Sequence, residues 1–261
     1  MSLISYIRQF GLRSAAAKAQ STIAARLLSR GLLREGRDAD PATVPGLTRV
    51  NTSEMSEDYK AYVDEQIGRS VRRSAYTNPL RRMMGSRDQL IQQVARLASA
   101  WKVPLTTALS IGCRDDRELD TIVRLLKATH VTGVDLFSAS PRIIPADMHN
   151  LPFESSTFDV TFAIHCMEHS YDARKSLGQM LRVTRPDGLI AVEVPIGFEV
   201  DEFDRNDFKG VLELAALFPE QSVSLLWAEV ENRAELSKPP TVRLILQKKN
   251  RSFHQPPTTN Q

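Results

Sequence analysis

Ala108-Leu109-Ser110-Ile111-Gly112-Cys113 is an apolar run of strand length that ends on a glycine. Pro104 precedes it, and a stripe of Leu119, Ile122, Val123 and Leu126 at helical spacing follows it. A short apolar run without polar alternation reads as a strand buried on both faces, and such strands belong to parallel sheets covered by helices.

The same alternation continues outward. Upstream, Ser86 and Gln89 have capping-box spacing, and Leu90, Val94, Leu97, Ala98 and Trp101 mark one helix face. Downstream, Val131–Leu136 reads as a strand carrying an acid, Asp135, near its end. Ile143-Ile144 opens a third strand that runs into Ala146-Asp147-Met148, and Phe158–Ile164 is a fourth. A helix is predicted over 172–184, then a turn at Arg185-Pro186-Asp187-Gly188 and a strand Leu189–Val194. A further helix carries Phe208, Val211, Leu212, Ala215 and Phe218, and the strands Val223–Val230 and Val242–Gln247 close the series. No clear helix separates the last two, so Val242–Gln247 is expected to lie antiparallel beside Leu189–Val194. Strands alternating with helices give an α/β, Rossmann-like sheet of seven mostly parallel strands with helices on both faces.

In such a sheet a ligand lies outside the carboxyl ends of the strands. The residues that matter are therefore Gly112 to Asp116, Asp135 to Phe137, Asp147-Met148 and His165 to His169. A glycine after the first strand lets main chain approach a ligand, and the following helix N-terminus offers free N–H groups. An acid at the second tip can accept two ribose hydroxyls, and an acid after the third can accept an adenine amino group.

These segments resemble the class I methyltransferases that use S-adenosylmethionine (SAM). The resemblance rests on Ala108–Cys113, Gly133-Val134-Asp135-Leu136, Ala146–Phe153, Ser156–Val160, Met167-Glu168-His169 and Arg182–Gly188. Their order is similar to the ubiquinone/menaquinone-type group, methyltransferase type 11, over about 140 residues. It implies SAM as cofactor, with Gly112 and Cys113 under the methionine part, Asp135 and Leu136 at the ribose, and Asp147 and Met148 framing the adenine. It also implies that His165 faces the place where acceptor and sulfonium meet. His165, Glu168 and His169 are the candidate catalytic residues, wanted where the acceptor must lose a proton; each also reads as a structural hydrogen-bonding group. The chain departs from the pattern in one loop. Ser110 replaces the usual acid of the first strand, and the three glycine positions read Gly112, Arg114 and Asp116. Asp115, Asp116 or Glu118 is then expected to pair with Arg114 or with the methionine ammonium. The connection 137–142 is too short for the usual helix.

Composition bounds the rest. The 261 residues are 42% hydrophobic and 25% charged, an ordinary globular balance. A net charge of +3 gives no strong nucleic-acid signal. Two cysteines, Cys113 and Cys166, make no disulfide framework, and no His/Cys/Asp/Glu spacing suits a metal. No apolar run reaches the ~18 residues that would span a bilayer. Residues 1–36 form a basic helical extension, acid-free to Arg34, which fits a packed helix, a membrane-surface or acidic-partner contact, or an organellar presequence. Residues 37–85 read as linker and helix, 86–250 as the methyltransferase domain and 251–261 as a disordered tail. The expected location is cytoplasmic or peripheral to a membrane.

Methyl transfer to a small-molecule, sugar or lipid-linked acceptor is the leading functional reading, and a catalytically silent partner or scaffold is the alternative. A nicotinamide enzyme is disfavoured, since Gly112 is not followed by the Gly-x-x-Gly a pyrophosphate requires.

Overall fold

The computed structural model describes residues 44–73, 88–232 and 239–250. The basic extension 1–36, the tail 251–261 and Ser86 of the expected capping box lie outside them.

The elements follow in chain order. They are β1 (Thr48–Arg49), α1 (Glu57–Arg73), α2 (Gln89–Trp101), β2 (Thr107–Ile111), α3 (Asp116–Leu126), β3 (His130–Asp135), β4 (Phe137–Ser138) and β5 (Ile143–Pro145). Then come β6 (Phe158–Ile164), a 3-10 turn (Met167–His169), α4 (Ala173–Val183), β7 (Thr184–Pro195), α5 (Val211–Ala215), β8 (Val223–Glu231) and β9 (Thr241–Lys248). The main sheet has seven strands in the order β5-β3-β2-β6-β7-β9-β8. The five strands from β5 to β7 are parallel, whereas β9 runs antiparallel between β7 and β8. The expected placement of Val242–Gln247 beside Leu189–Val194 is therefore observed.

Successive side chains of a strand point to opposite faces, and two cores result. Ala108, Val160, Phe162, Ala191 and Ile245 pack with Leu90, Val94 and Ala98 of α2 and Ile122 and Leu126 of α3. Leu109, Ile111, Ala163, Val192 and Leu244 pack with Leu177, Met180 and Val183 of α4 and Leu214 of α5. Strand order reverses between β2 and β6, so the switch point lies at Gly112 and His165-Cys166.

Three expectations need correction. The Arg-Pro-Asp-Gly segment is part of a continuous β7, where five steps from Thr184 to Leu189 face two from Phe158 to Val160. The excess residues bulge outward, with Asp187 at φ 63°. The helix expected around Phe208–Phe218 is only Val211–Ala215; Phe208 and Phe218 are buried in the flanking loops. The link after β3 has no helix, as expected, but it carries β4, which pairs antiparallel with β1. That pairing stitches the segment before α1 to the sheet's end. Val63, Ile67 and Val71 of α1 form a third core with Phe137, flanked by Leu136 and Tyr59. Among the described residues no helix is long and apolar enough to cross a membrane.

Candidate active site

The floor of the site is the β2 tip. Gly112 has φ +68°, and a side chain there would place its Cβ 2.4 Å from Cys166 Cβ. Both the dihedral and the neighbour demand glycine. The close approach brings the tips of β2 and β6 together, and Cys166 Sγ donates to the Ile111 carbonyl at 3.2 Å. Cys113 turns into the core: its sulfur sits against Gly133, among Leu119 and Ile143. Burial pushes both thiols well up, so neither is a ready nucleophile.

Asp135 ends β3. Its Oδ2 accepts from Arg114 N–H at 2.8 Å and its Oδ1 from Leu136 N–H at 2.8 Å. Arg114 reaches this bond through a left-handed backbone, φ +62°. Burial raises the Asp135 carboxyl, opposed by the Arg114 charge and these main-chain donors. Arg114 makes no ion pair with Asp116 or Glu118: Asp116 accepts Ser140 Oγ at 2.8 Å and faces Arg142 at 3.8 Å. Ser110, in the place of the missing strand acid, hydrogen-bonds Glu118 from the first turn of α3. Burial drives Glu118 up to about 8, against the Ser110 bond.

Asp147 is heavily engaged. It accepts Tyr59 Oη at 2.8 Å, His149 N–H at 2.8 Å and His149 Nδ1 at 2.6 Å. Since His149 Nε2 accepts from Asp172 N–H at 3.1 Å, the ring's proton sits on Nδ1 and points at Asp147. The Asp147 carboxyl falls below its ordinary range: burial works upward, and the hydrogen bonds from His149 and Tyr59 outweigh it. Met148 is half-buried against the core.

At the β6 tip, His165 (φ 53°) places Nε2 2.7 Å from Glu193 Oε1 and Nδ1 3.8 Å from Glu168 Oε1. Glu193 is closed to solvent on β7, and its other oxygen is 2.5 Å from Arg243 Nε. Arg243 also holds Glu229, Glu231 and Gln89. Against desolvation, His165 and Arg243 pull Glu193 down to about 2. Glu193 is therefore an acceptor only, and the proton on its bond to His165 sits on Nε2. Glu168 is buried with Oε2 lacking any partner among the described residues, and burial raises its carboxyl. His169 flanks Glu168 from the other side, with Nε2 3.9 Å from its Oε1, Nδ1 2.8 Å from Asp204 and its ring 4.2 Å from that of Phe203. It braces the loop 201–206, and Glu168 lies between the two histidines.

Helix α1 forms a cap over these tips. Its Tyr59 and Tyr62 meet Tyr171 at ring distances of 5.0 and 5.3 Å, and Arg205 stacks over Tyr171 at 4.8 Å and Tyr62 at 5.3 Å. Gln66 of the same helix donates to the Phe203 carbonyl at 3.1 Å. Sequence reasoning found α1 but gave it no place at the site. The spacing Tyr59, Tyr62, Val63, Gln66, Ile67 was the available signal for a one-sided helix.

Comparison with known proteins decides what this arrangement is. The family described as "Methyltransferase domain" matches residues 109–192, the span from β2 into β7 that carries all four tips. Residues 109–192 match a methyltransferase domain. The sterol 4-C-methyltransferase strm-1 of Caenorhabditis elegans is 32% identical over 119 residues, which cover 43% of this chain and 35% of that protein. The chain thus spans about a third of the curated relative it matches. Among solved structures, the Burkholderia thailandensis 1,6-didemethyltoxoflavin-N1-methyltransferase, bound to 1,6-didemethyltoxoflavin and S-adenosylhomocysteine, aligns with a TM-score of 0.55 at 15% identity. That alignment covers 78% of this chain and 95% of the other. At this identity the likeness speaks for the fold, and it reaches beyond the 84 residues of the family match. β8 and β9, which lie beyond the matched residues, complete the same sheet.

Proposed function

We propose that this protein binds SAM across the tips of β3, β2 and β6 and transfers its methyl group to a small-molecule acceptor, sugars and lipid-linked compounds included. The observation that carries the reading is Asp135. An ionised carboxylate offers about four acceptor positions. Main-chain N–H groups of Arg114 and Leu136 bind one oxygen each, the Phe137 N–H also bonds the carboxylate, and together they fix its orientation. The acceptor capacity left over suits the neighbouring hydroxyls of a ribose. The left-handed Gly112 beside it lets the β2 tip close against Cys166, so the ends of β2 and β6 form one floor.

SAM supplies an activated methyl sulfonium, so the protein's task is alignment and, for some acceptors, proton removal. His165 suits the second task. Its Nε2–H is held by Glu193, and its Nδ1 lies 3.8 Å from Glu168 Oε1. An acceptor hydroxyl or N–H that loses its proton on methylation finds its base there, with Glu168 as the neighbouring carboxyl. His169 has a positioning part in this scheme: its Nδ1 is tied to Asp204 and the Phe203 carbonyl, and its Nε2 flanks Glu168.

The test is calorimetric titration with S-adenosylhomocysteine (SAH), in wild type and Asp135→Ala. Loss of two charge-assisted bonds should weaken binding by roughly ten- to a hundredfold, at about 1.4 kcal/mol per factor of ten. The alternative, a silent partner protein, draws on Asp147, whose carboxylate is already engaged by Tyr59 and His149. Absence of any SAM or SAH binding by wild type would establish that alternative instead.

A further inference from the structure

The loop 201–206 carries an exposed cation, Arg205, that the methyl-transfer scheme does not use. Its guanidinium carbon is 4.8 Å from the Tyr171 ring centre and 5.3 Å from that of Tyr62, and the two rings are 5.3 Å apart. The three centres make a nearly equal-sided triangle, so the guanidinium sits in the notch between the rings rather than sandwiched by them. Cation–π contacts hold such a group in place without using its N–H donors. Among the described residues those donors have no ion pair and no hydrogen-bond acceptor. The acids nearby are engaged elsewhere. Asp204 lies 2.8 Å from His169, and Asp201 accepts the Phe203 and Asp204 N–H groups at 2.7 and 2.6 Å and faces Arg69 at 3.8 Å.

The same loop is laced to the end of β6. Main-chain N–H groups of Arg205 and Asn206 donate to the Glu168 carbonyl at 2.8 and 3.0 Å, and Asn206 Nδ2 donates to the Ser170 carbonyl at 2.6 Å. Arg205 thus stands over the turn whose buried Glu168 carboxyl keeps Oε2 without a partner among the described residues. Buried polar atoms are seldom left so, and a hydroxyl or N–H of a bound acceptor answers it. Tyr62 links this corner to the cofactor side. Burial pushes its hydroxyl up, and the charges of Arg205, Asp147 and Cys166 act on it, which sets the ring between the guanidinium and the strand tips.

We propose that Arg205 sets the acceptor class by seating an oxyanion of the acceptor, a carboxylate or a phosphate, over the turn that carries Glu168. The inference rests on the methyl-transfer reading above and narrows its acceptors to anionic ones. The planar fork of a guanidinium matches two oxygens of either group. Rings that already hold the guanidinium reduce the ordering that binding would otherwise cost.

The experiment is a nuclear magnetic resonance titration of the SAH-saturated chain with three probes at constant ionic strength. Benzoate and phenyl phosphate carry the two candidate anions, and benzyl alcohol is a similar ring without charge. Wild type should bind at least one anion saturably and at least tenfold more tightly than benzyl alcohol, with shifts at the Arg205 Nε–H and at the Tyr62 and Tyr171 rings. The tighter of the two anions identifies the group. Arg205→Gln should weaken that anion at least tenfold and change benzyl alcohol by less than twofold. Arg205→Lys, which keeps the charge and loses the fork, should fall between. Amide signals of the sheet report that each variant is folded. Anions bound no better than benzyl alcohol, or bound equally by wild type and Arg205→Gln, would overturn the subsite. Equal losses for all three probes in Arg205→Gln would overturn it too, and would leave Arg205 the task of holding the cap. The titration is repeated without SAH. A wild type that fails to bind SAH would refute the cofactor reading, while the anion arm still decides the role of Arg205.

Discussion

Glu193 and Arg243 stand directly opposite each other on antiparallel strands, with 2.5 Å between Oε2 and Nε, and both side chains are closed to solvent. Removing one partner strands a buried charge, which costs about 3–5 kcal/mol, whereas replacing both with apolar groups is often close to neutral. Arg243→Met should lower unfolding stability by that amount in urea titrations. Glu193→Leu combined with Arg243→Met should recover a large part of the loss, and no recovery would refute the pairing as the cause.

The same carboxylate sets an acid limit. Glu193 is held near 2 in the fold, against 4.5 for a free glutamate. A depressed folded pKa contributes stability that is complete above the unfolded value and is lost as pH falls from about 4.5 to about 2. At ~1.4 kcal/mol per pKa unit the contribution is about 3 kcal/mol. Glu193→Gln should flatten the stability profile in that window. An unchanged acid limb would show that other carboxylates control it.

Glu118 titrates in the opposite sense. Its carboxyl is raised to about 8 in the fold, so between about 4.5 and 8 the unfolded chain has released a proton that the fold retains. Stability of the ligand-free protein should fall as pH rises across that window and level off above it. Glu118→Gln should remove the slope in thermal melts.

Asp135 and Asp147 should separate in stability measurements. Asp147 ties Tyr59 of the cap to His149 of the floor, whereas Asp135 accepts only from nearby main chain within the site. Asp147→Ala leaves a partly buried tyrosine hydroxyl and a buried imidazole without their acceptor, at about 1–3 kcal/mol for such groups. Its stability loss should therefore exceed that of Asp135→Ala, while the loss of SAH affinity should rank the other way.

Gly112 should tolerate no side chain while Cys166 keeps its Cβ. Gly112→Ala brings methyl and Cβ to 2.4 Å, and the positive φ adds strain. Cys166→Ala should not rescue it, because the obstructing atom is Cβ. Cys166→Gly should rescue part of the stability; an equal effect of the two second-site changes would place the conflict elsewhere.

The strand tips were legible because each carries a local signal. An apolar run ends on glycine at Gly112, on an acid at Asp135, and on polar residues after Phe158–Ile164. Their order along the chain sufficed to anticipate β9 beside β7. What stayed hidden depends on contacts far apart in sequence. Tyr59 meets Asp147 across 88 residues, and Gln66 meets Phe203 across 137. No spacing rule tells on which tip a one-sided helix will land. The Glu193–Arg243 pair was closer to view: each is a single charge inside an otherwise apolar strand, and the two strands were expected to adjoin. The looped-out 185–188 was missed because turn residues mark a break in direction, and a bulge breaks only the register.

The cap has a consequence for the order of assembly. Helix α1 precedes every strand of the main sheet, but its polar partners Asp147, Tyr171, Phe203 and Arg205 come much later in the chain. A growing polypeptide therefore exposes this helix long before anything exists for it to rest on. Its apolar side, Val63, Ile67 and Val71, finds Phe137 first, and the tyrosines close only once the 201–206 loop has been made. The roof over the site is thus the first of these pieces to be synthesised and among the last to settle, while the floor beneath it takes shape in sequence order.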